Sequence, residues 1–214
     1  MNKTLFITRP EHDDTTHYLS KWGAKTIEFA LTKGINVLDL PQGRASKKEV
    51  ESMLKKQNPS LVLFNGHGST DTITGHHNEP IITINNSSIL KNKIIYALSC
   101  CSAKRLGVNC VAQGAKTYIG YDDDFILVYE PEKITKPLTD DTAKLFLDPS
   151  NELTFSLIKG NTAEIACQHS KEAFKKNIQK LLSSEATEED ASLARYLWWD
   201  MQHQICLGDP NSSF

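Results

Sequence analysis

The sequence predicts an α/β fold, a mainly parallel sheet flanked by helices with further helices packed on it, and three observations carry that reading. Short β-rich apolar runs alternate with helical patterns over the first 130 residues, the signature of strands joined by crossover helices. Two runs, Leu61-Val62-Leu63-Phe64 and Ile94-Ile95-Tyr96-Ala97-Leu98, are almost continuously apolar, as strands covered on both faces are. Past residue 150 the pattern turns helical.

In chain order, strands are expected over Thr4–Thr8, Ile35–Leu40, Leu61–Asn65, Lys93–Ser99 and Lys116–Tyr121. Between them lie helix patterns at about Asp13–Trp22, Ser46–Gln57 and Ala103–Gln113. Ser46 followed by Glu49 is a capping-box pair, and Val50, Met53 and Leu54 share one face of the helix it opens. Gly114 is placed to stop the third helix. Three prolines and a Thr-Asp turn at Thr139-Asp140 mark Glu130–Pro149 as a connecting loop. Beyond it, Ile165, Cys167, Phe174, Ile178, Leu181 and Leu182 follow a helical stripe across Thr162–Leu182. Thr187 with Asp190 opens a last helix to about His203, and Gly208-Asp209-Pro210 ends regular structure. The 214 residues therefore read as one domain: an α/β core over 1–130, a connecting loop over 131–149 and a mainly helical part over 150–214. Two helices alone bury too little surface to stand apart.

Composition narrows the function. The 24 Lys and Arg nearly balance 26 Asp and Glu, which gives no bulk electrostatic case for nucleic acid. No run of about 18 apolar residues implies a membrane span, and the start carries no signal-peptide pattern. Five cysteines, without paired CxxC spacing, fit neither a disulfide framework nor a structural zinc site. A reducing cytoplasm fits them best, where a free thiol persists as a nucleophile.

Two strand ends carry the chemistry. Leu61–Phe64 runs into Asn65-Gly66-His67-Gly68-Ser69, and Lys93–Ser99 runs into Cys100-Cys101-Ser102-Ala103 and a helix. In open parallel sheets functional groups gather beyond the carboxyl ends of strands, so both features point to one edge. A glycine-flanked His leaves room for substrate backbone. A Cys at a strand-to-helix turn feels the positive helix end, which favours thiolate. Together they supply a base and a nucleophile for acyl transfer.

An apolar strand ending in His-Gly, followed by one ending in Cys-x-Ser-Ala, resembles the caspase-like cysteine peptidases, closest to the CHAT-domain and gingipain types. Gln113-Gly114-Ala115-Lys116 before a strand and Cys206-Leu207-Gly208-Asp209-Pro210 add to the likeness. The resemblance covers roughly Ile35–Tyr129 plus that ending. It implies a caspase-hemoglobinase fold and endopeptidase activity on a protein or peptide, through a His67–Cys100 dyad and a thioester. It implies no cofactor or metal, and no nucleic-acid or membrane partner, and allows for an activating protein. The backbone N–H groups of Gly68 and Cys100 would form the oxyanion hole. Cys100 follows His67 by 33 positions (100 − 67), against about 50 in caspases, and the family's glycine is Ala103 here. Aligning Cys-x-Ser-Ala selects Cys100 as nucleophile, whereas aligning Leu98-Ser99 selects Cys101. No third catalytic residue is evident.

Asp122-Asp123-Asp124 follows the next strand, and by the same resemblance Asp122 would pair with a basic P1 side chain; as residues alone, the run reads equally as a solvated turn. His76-His77 near Asp71 and Glu79 lacks ligand spacing and reads as a surface loop. Of Trp198-Trp199, one ring is expected in the core and the other is free for an interface. Cys110, Cys167 and Cys206 fall on apolar faces. Two other readings stay in play: a catalytically silent caspase-like scaffold or binding module, and a small α/β hydrolase or transferase acting on another acyl group.

Overall fold

The computed structural model describes residues 3–183 and 186–214. Strand β1 (Thr4–Arg9) leads to helix α1 (Asp14–Thr32), β2 (Asn36–Pro41), α2 (Lys47–Gln57) and β3 (Leu61–Asn65). A small antiparallel sheet follows, β4 (Gly68–Ser69), β5 (Thr72–Thr74) and β6 (Pro80–Thr83). Then come β7 (Ile94–Leu98), a π-helical turn at Ala103–Gly107 running into α3 (Val108–Ala112), and β8 (Thr117–Tyr121). Helices α4 (Asp141–Ile158), α5 (Ala163–Leu181) and α6 (Glu188–His203) and strand β9 (Gln204–Gly208) complete the chain. The main sheet has the order β2-β1-β3-β7-β8-β9, parallel except for β9 against β8.

Alternation along each strand divides the core into two layers. Leu61, Leu63, Ile94, Tyr96 and Leu98 pack with Tyr18, Trp22, Leu147 and Leu157 beneath α1, α4 and α5. Val62, Phe64, Ile95 and Ala97 face the other way, against Val50 and Leu54 of α2 and Ile73, Ile81 and Ile82 of the small sheet. Both faces are covered, which is why the strands read as continuous apolar runs.

Three expectations change. The first helix runs ten residues past Trp22 to Thr32, burying Thr26 and Ala30. The connecting loop over 131–149 ends early, because Asp140 caps α4 by accepting the Ala143 N–H at 2.8 Å, and Pro149 lies inside that helix. Proline removes the N–H that would meet the carbonyl four residues back. Here that carbonyl, on Leu145, instead accepts the Asn177 side-chain amide of α5 at 2.8 Å. Tertiary packing thus satisfies the acceptor that the proline orphans. Finally, an unexpected strand follows the last helix: β9 pairs along the whole of β8, from Tyr121↔Gln204 to Thr117↔Gly208, and regular structure ends at Gly208 as expected.

Candidate active site

Strands β3 and β7 pair in parallel with Asn65 opposite Leu98. Two residues beyond each lie His67 and Cys100, so both occupy matching positions past the carboxyl edge of neighbouring inner strands. The loops are in contact there. A Cβ placed on Gly68 would sit 2.6 Å from Ser99 Oγ and 2.9 Å from the Cys100 carbonyl oxygen, and only glycine permits that approach. The Thr74 N–H donates to the His67 carbonyl at 2.9 Å. Antiparallel ladders alternate, so the neighbouring Gly68–Ile73 pair is a non-hydrogen-bonded one, and the Gly68 N–H lies outside the ladder.

His67 has a partner that the sequence did not reveal. Its Nε2 lies 2.7 Å from Asp13 Oδ2, both side chains being 38% exposed. A carboxylate only accepts, so Nε2 carries a proton, and in the tautomer with that single proton Nδ1 is bare. Asp13 is also the N-cap of α1: its Oδ1 accepts the Thr16 N–H and hydroxyl, each at 2.8 Å. Burial alone would raise the Asp13 pKa, but the bonds from Thr16 and His67 outweigh it and hold the carboxyl down at about 2. The signal for this residue was positional: Asp13 lies in the loop leaving β1, which pairs with β3 and opens at the same edge.

Cys100 is half-buried, and its thiol donates to the Phe125 carbonyl at 3.8 Å. Burial pushes that thiol up, and the carboxyls of Asp124 and Asp200 add to the effect against the opposing Phe125 bond. The expected thiolate bias of a helix N-terminus is therefore overridden, and the resting group is a thiol. Cys101 adopts a left-handed backbone, φ 56°, and its thiol points to Asp124 Oδ1 at 3.4 Å. Burial and then Asp124 push it up to about 11.

The acidic run after β8 is braced to this edge. Asp123 accepts the Cys101 N–H on its carbonyl at 2.9 Å and pairs with Lys104 at 3.2 Å. Asp122, 39% exposed, holds His203 Nδ1 at 2.8 Å. It is thus neither desolvated nor unpartnered, as a buried specificity carboxylate would be. The buried acid nearby is Asp200, whose Oδ1 accepts the Ile126 N–H at 2.8 Å while Oδ2 has no partner. Burial pushes Asp200 up to about 8 against that single bond. The folded state therefore favours its neutral form, so stability is lost as pH rises from the unfolded value of about 4 towards 8. Asp200→Asn should unfold at nearly the wild-type temperature in acid and at a higher one near pH 8, as read by thermal melts across that range. A constant difference would show that the acid does not titrate there.

The tryptophan pair departs from expectation. Trp198 is 53% exposed, while Trp199 caps the site instead of the core, donating its indole N–H to the Asp124 carbonyl at 3.0 Å and packing on His203 at 4.1 Å. Cys110 and Cys167 are buried, whereas Cys206 is half-exposed on edge strand β9. His76 and His77 do not meet Asp71, which bonds Ser69 and Thr72. They pack against His12, at 5.3 and 5.7 Å between rings.

No protein-family model and no curated protein matches the chain. Among solved structures it is similar to a complex of Porphyromonas gingivalis RgpB pro- and mature domains, with a TM-score of 0.62 and 11% identity, over 98% of this chain and 47% of that one. The chain thus spans about half the length of that structure. An inactive zymogen of a C11 protease from Parabacteroides distasonis matches at a TM-score of 0.42 and 12% identity, over 97% of this chain and 84% of the other. The first likeness is one of fold: a six-stranded, mainly parallel sheet flanked by helices, in the caspase-like arrangement.

Proposed function

We propose that this chain is a cysteine endopeptidase working through His67 and Cys100. The observation that carries the reading is their matched position beyond the carboxyl edges of two paired inner strands, within a caspase-like fold. The His67 ring is turned to Asp13 and is not among the groups bonded to the Cys100 thiol. Such contacts are often loose without substrate and tighten when it binds.

In the reaction, Nδ1 of His67 takes the Cys100 proton as sulfur attacks the scissile carbonyl. The oxygen gains the negative charge, received by the N–H groups of Gly68 and Cys100. His67 then gives its proton to the departing amine, which leaves a thioester. Water, losing a proton to His67, attacks the thioester; the acid is released and the thiol reforms. Asp13 is a positioning residue that fixes the tautomer.

A peptidyl chloromethyl ketone followed by mass mapping tests the whole reading: it should label Cys100 in the folded chain, and peptide hydrolysis should stop with labelling. The raised thiol and the outward turn of His67 favour one competitor, a silent scaffold of the same fold, which would take no label. Asp13→Asn separates positioning from capping, because Asn caps a helix as well as Asp. We expect a slightly lower melting temperature, from loss of the carboxylate that His67 and Thr16 stabilise, and a roughly tenfold lower kcat, both modest because the half-exposed pair is screened by solvent. An unchanged kcat would remove Asp13 from the mechanism.

The finer parts of the proposal are a basic P1 preference set by Asp122, kinship with CHAT-domain or gingipain-type peptidases on the motifs at 113–116 and 206–210, and an activating protein partner. Five free cysteines support a reducing compartment such as the cytoplasm; among the described residues no helix is long and apolar enough to cross a membrane. Because Asp122 is exposed and paired, an ion pair with substrate is worth under about 1 kcal/mol. Asp122→Ala should therefore lower kcat/KM for Arg and Lys substrates by less than about fivefold relative to neutral ones. An equal loss on all substrates would refute its role in recognition and leave the dyad standing.

A further inference from the structure

We infer that His12, Asp13 and His67 form a binding site for a zinc-class divalent metal ion beside the proposed dyad. One ligand atom from each of the three lies within 4.8 Å of the others. One carboxylate oxygen lies near both imidazoles: His67 Nε2 is 2.7 Å and His12 Nε2 3.5 Å from Asp13 Oδ2, and His12 Nε2 is also 3.2 Å from Asn78 Oδ1, a bond that a metal ion would replace. Zinc bonds of about 2.0–2.2 Å in tetrahedral array set neighbouring donors roughly 3.3–3.5 Å apart. The His12–Asp13 spacing already meets that, and His67 needs only to withdraw by less than about 1 Å and carry its proton on Nδ1 in place of Nε2, exchanging its hydrogen bond for a metal bond.

The surroundings orient these donors as outer-shell groups do around a metal. The capping box commits Asp13 Oδ1 to Thr16, which leaves Oδ2, bonded to His67, as the ligand atom. The Thr16 hydroxyl also receives the His12 backbone N–H at 3.0 Å, fixing the chain that carries the first ligand. The His12 side chain is 6% exposed, and its Nδ1 is buried without a partner. The rings of His67, His76 and His77 all lie within 6.0 Å of it.

Two nitrogens and one oxygen suit zinc, whereas calcium and magnesium take oxygen ligands. Three protein donors leave a fourth position for water. His67 and Asp13 are partly exposed, which gives the ion a way in. The binding stands apart from the proposed peptidase chemistry; its consequence rests on it. A metal ion on His67 Nε2, with Asp13 also engaged, stops the ring turning to serve Cys100, so the loaded chain is held inactive and a chelator releases it.

The test is direct binding of Zn2+ by competition with a chromophoric chelator, using the full chain. We expect one ion per chain, little competition from excess Mg2+ or Ca2+, and at least about tenfold weaker binding in His12→Gln. X-ray absorption of the zinc-loaded wild type should show only nitrogen and oxygen neighbours at about 2.0–2.2 Å, a readout that needs no variant to fold. Absence of stoichiometric binding, or sulfur among the ligands, would overturn the site, as would undiminished affinity in a folded His12→Gln. Zinc should also stop hydrolysis reversibly in the wild type but not in His12→Gln. Binding with these ligands but without inhibition would keep the site and instead refute His67 as the base.

Discussion

Cys100→Ala should abolish peptide hydrolysis and covalent labelling, a loss on the order of 10^4- to 10^6-fold in kcat, whereas Cys101→Ala should retain activity within about tenfold. The adjacent thiols differ in backbone and in partner. Cys100 continues the register that sets Leu98 opposite Asn65 and hence lies level with His67. Cys101 has turned into the left-handed region, φ 56°, and its sulfur faces Asp124, away from that register. A thiol donating into a carboxylate cannot easily lose its proton, and Cys101 is held at about 11 by burial and that carboxylate. Alanine at position 101 inherits the left-handed strain already present, so folding should change little; Cys101→Gly should relieve it and raise the melting temperature. If Cys101→Ala alone abolishes labelling, the nucleophile is the second thiol. If both single variants and the double variant still cleave, the cysteine mechanism fails altogether.

The parts of this molecule that sequence made legible are those whose physics is local. Leu61–Phe64 and Ile94–Leu98 reveal themselves as inner strands because both faces are buried, and the residues that follow them are then placed at one edge. Helix α4 was hidden because Pro149 reads as a breaker, and its remedy, Asn177 donating to Leu145, comes from another helix. Strand β9 was hidden because Gln204-Ile205-Cys206-Leu207-Gly208 follows an amphipathic helix directly, and only the open edge of β8 makes it a strand. In the sequence Asp13 is only the start of a helical pattern; its bond to His67 spans 54 positions. His76 and His77 were weighed against acids near in sequence, whereas the fold brings them to His12. Cys100 was read from helix polarity alone, and burial with two neighbouring acids reverses that sign.

Gly68→Ala tests the oxyanion hole, and we expect kcat to fall about 10^2- to 10^3-fold, the usual loss of one preorganised donor. The new methyl would sit 2.6 Å from Ser99 Oγ, 2.9 Å from the Cys100 carbonyl and 3.1 Å from Ser99 Cβ. A hydroxyl can rotate away, but a backbone carbonyl at the end of β7 cannot, so the Gly68 loop must retreat from Cys100. Retreat carries the Gly68 N–H away from the oxygen it would receive, and donors act only within a few tenths of an ångström of their best distance. The steric cost also lowers the melting temperature, so stability and catalysis must be read separately. Adding Ser99→Ala to Gly68→Ala removes the 2.6 Å clash and leaves the one with the Cys100 carbonyl. Ser99 Oγ is buried and has no partner, so its removal forfeits no hydrogen bond. The double variant should therefore recover only a small part of the lost melting temperature and little of the lost kcat, with KM near wild type throughout. Recovery of kcat in step with stability would make the single variant's defect one of packing. A folded Gly68→Ala that turns over at the wild-type rate would exclude the Gly68 N–H from the oxyanion hole, leaving Cys100 and a donor from elsewhere to hold the charge.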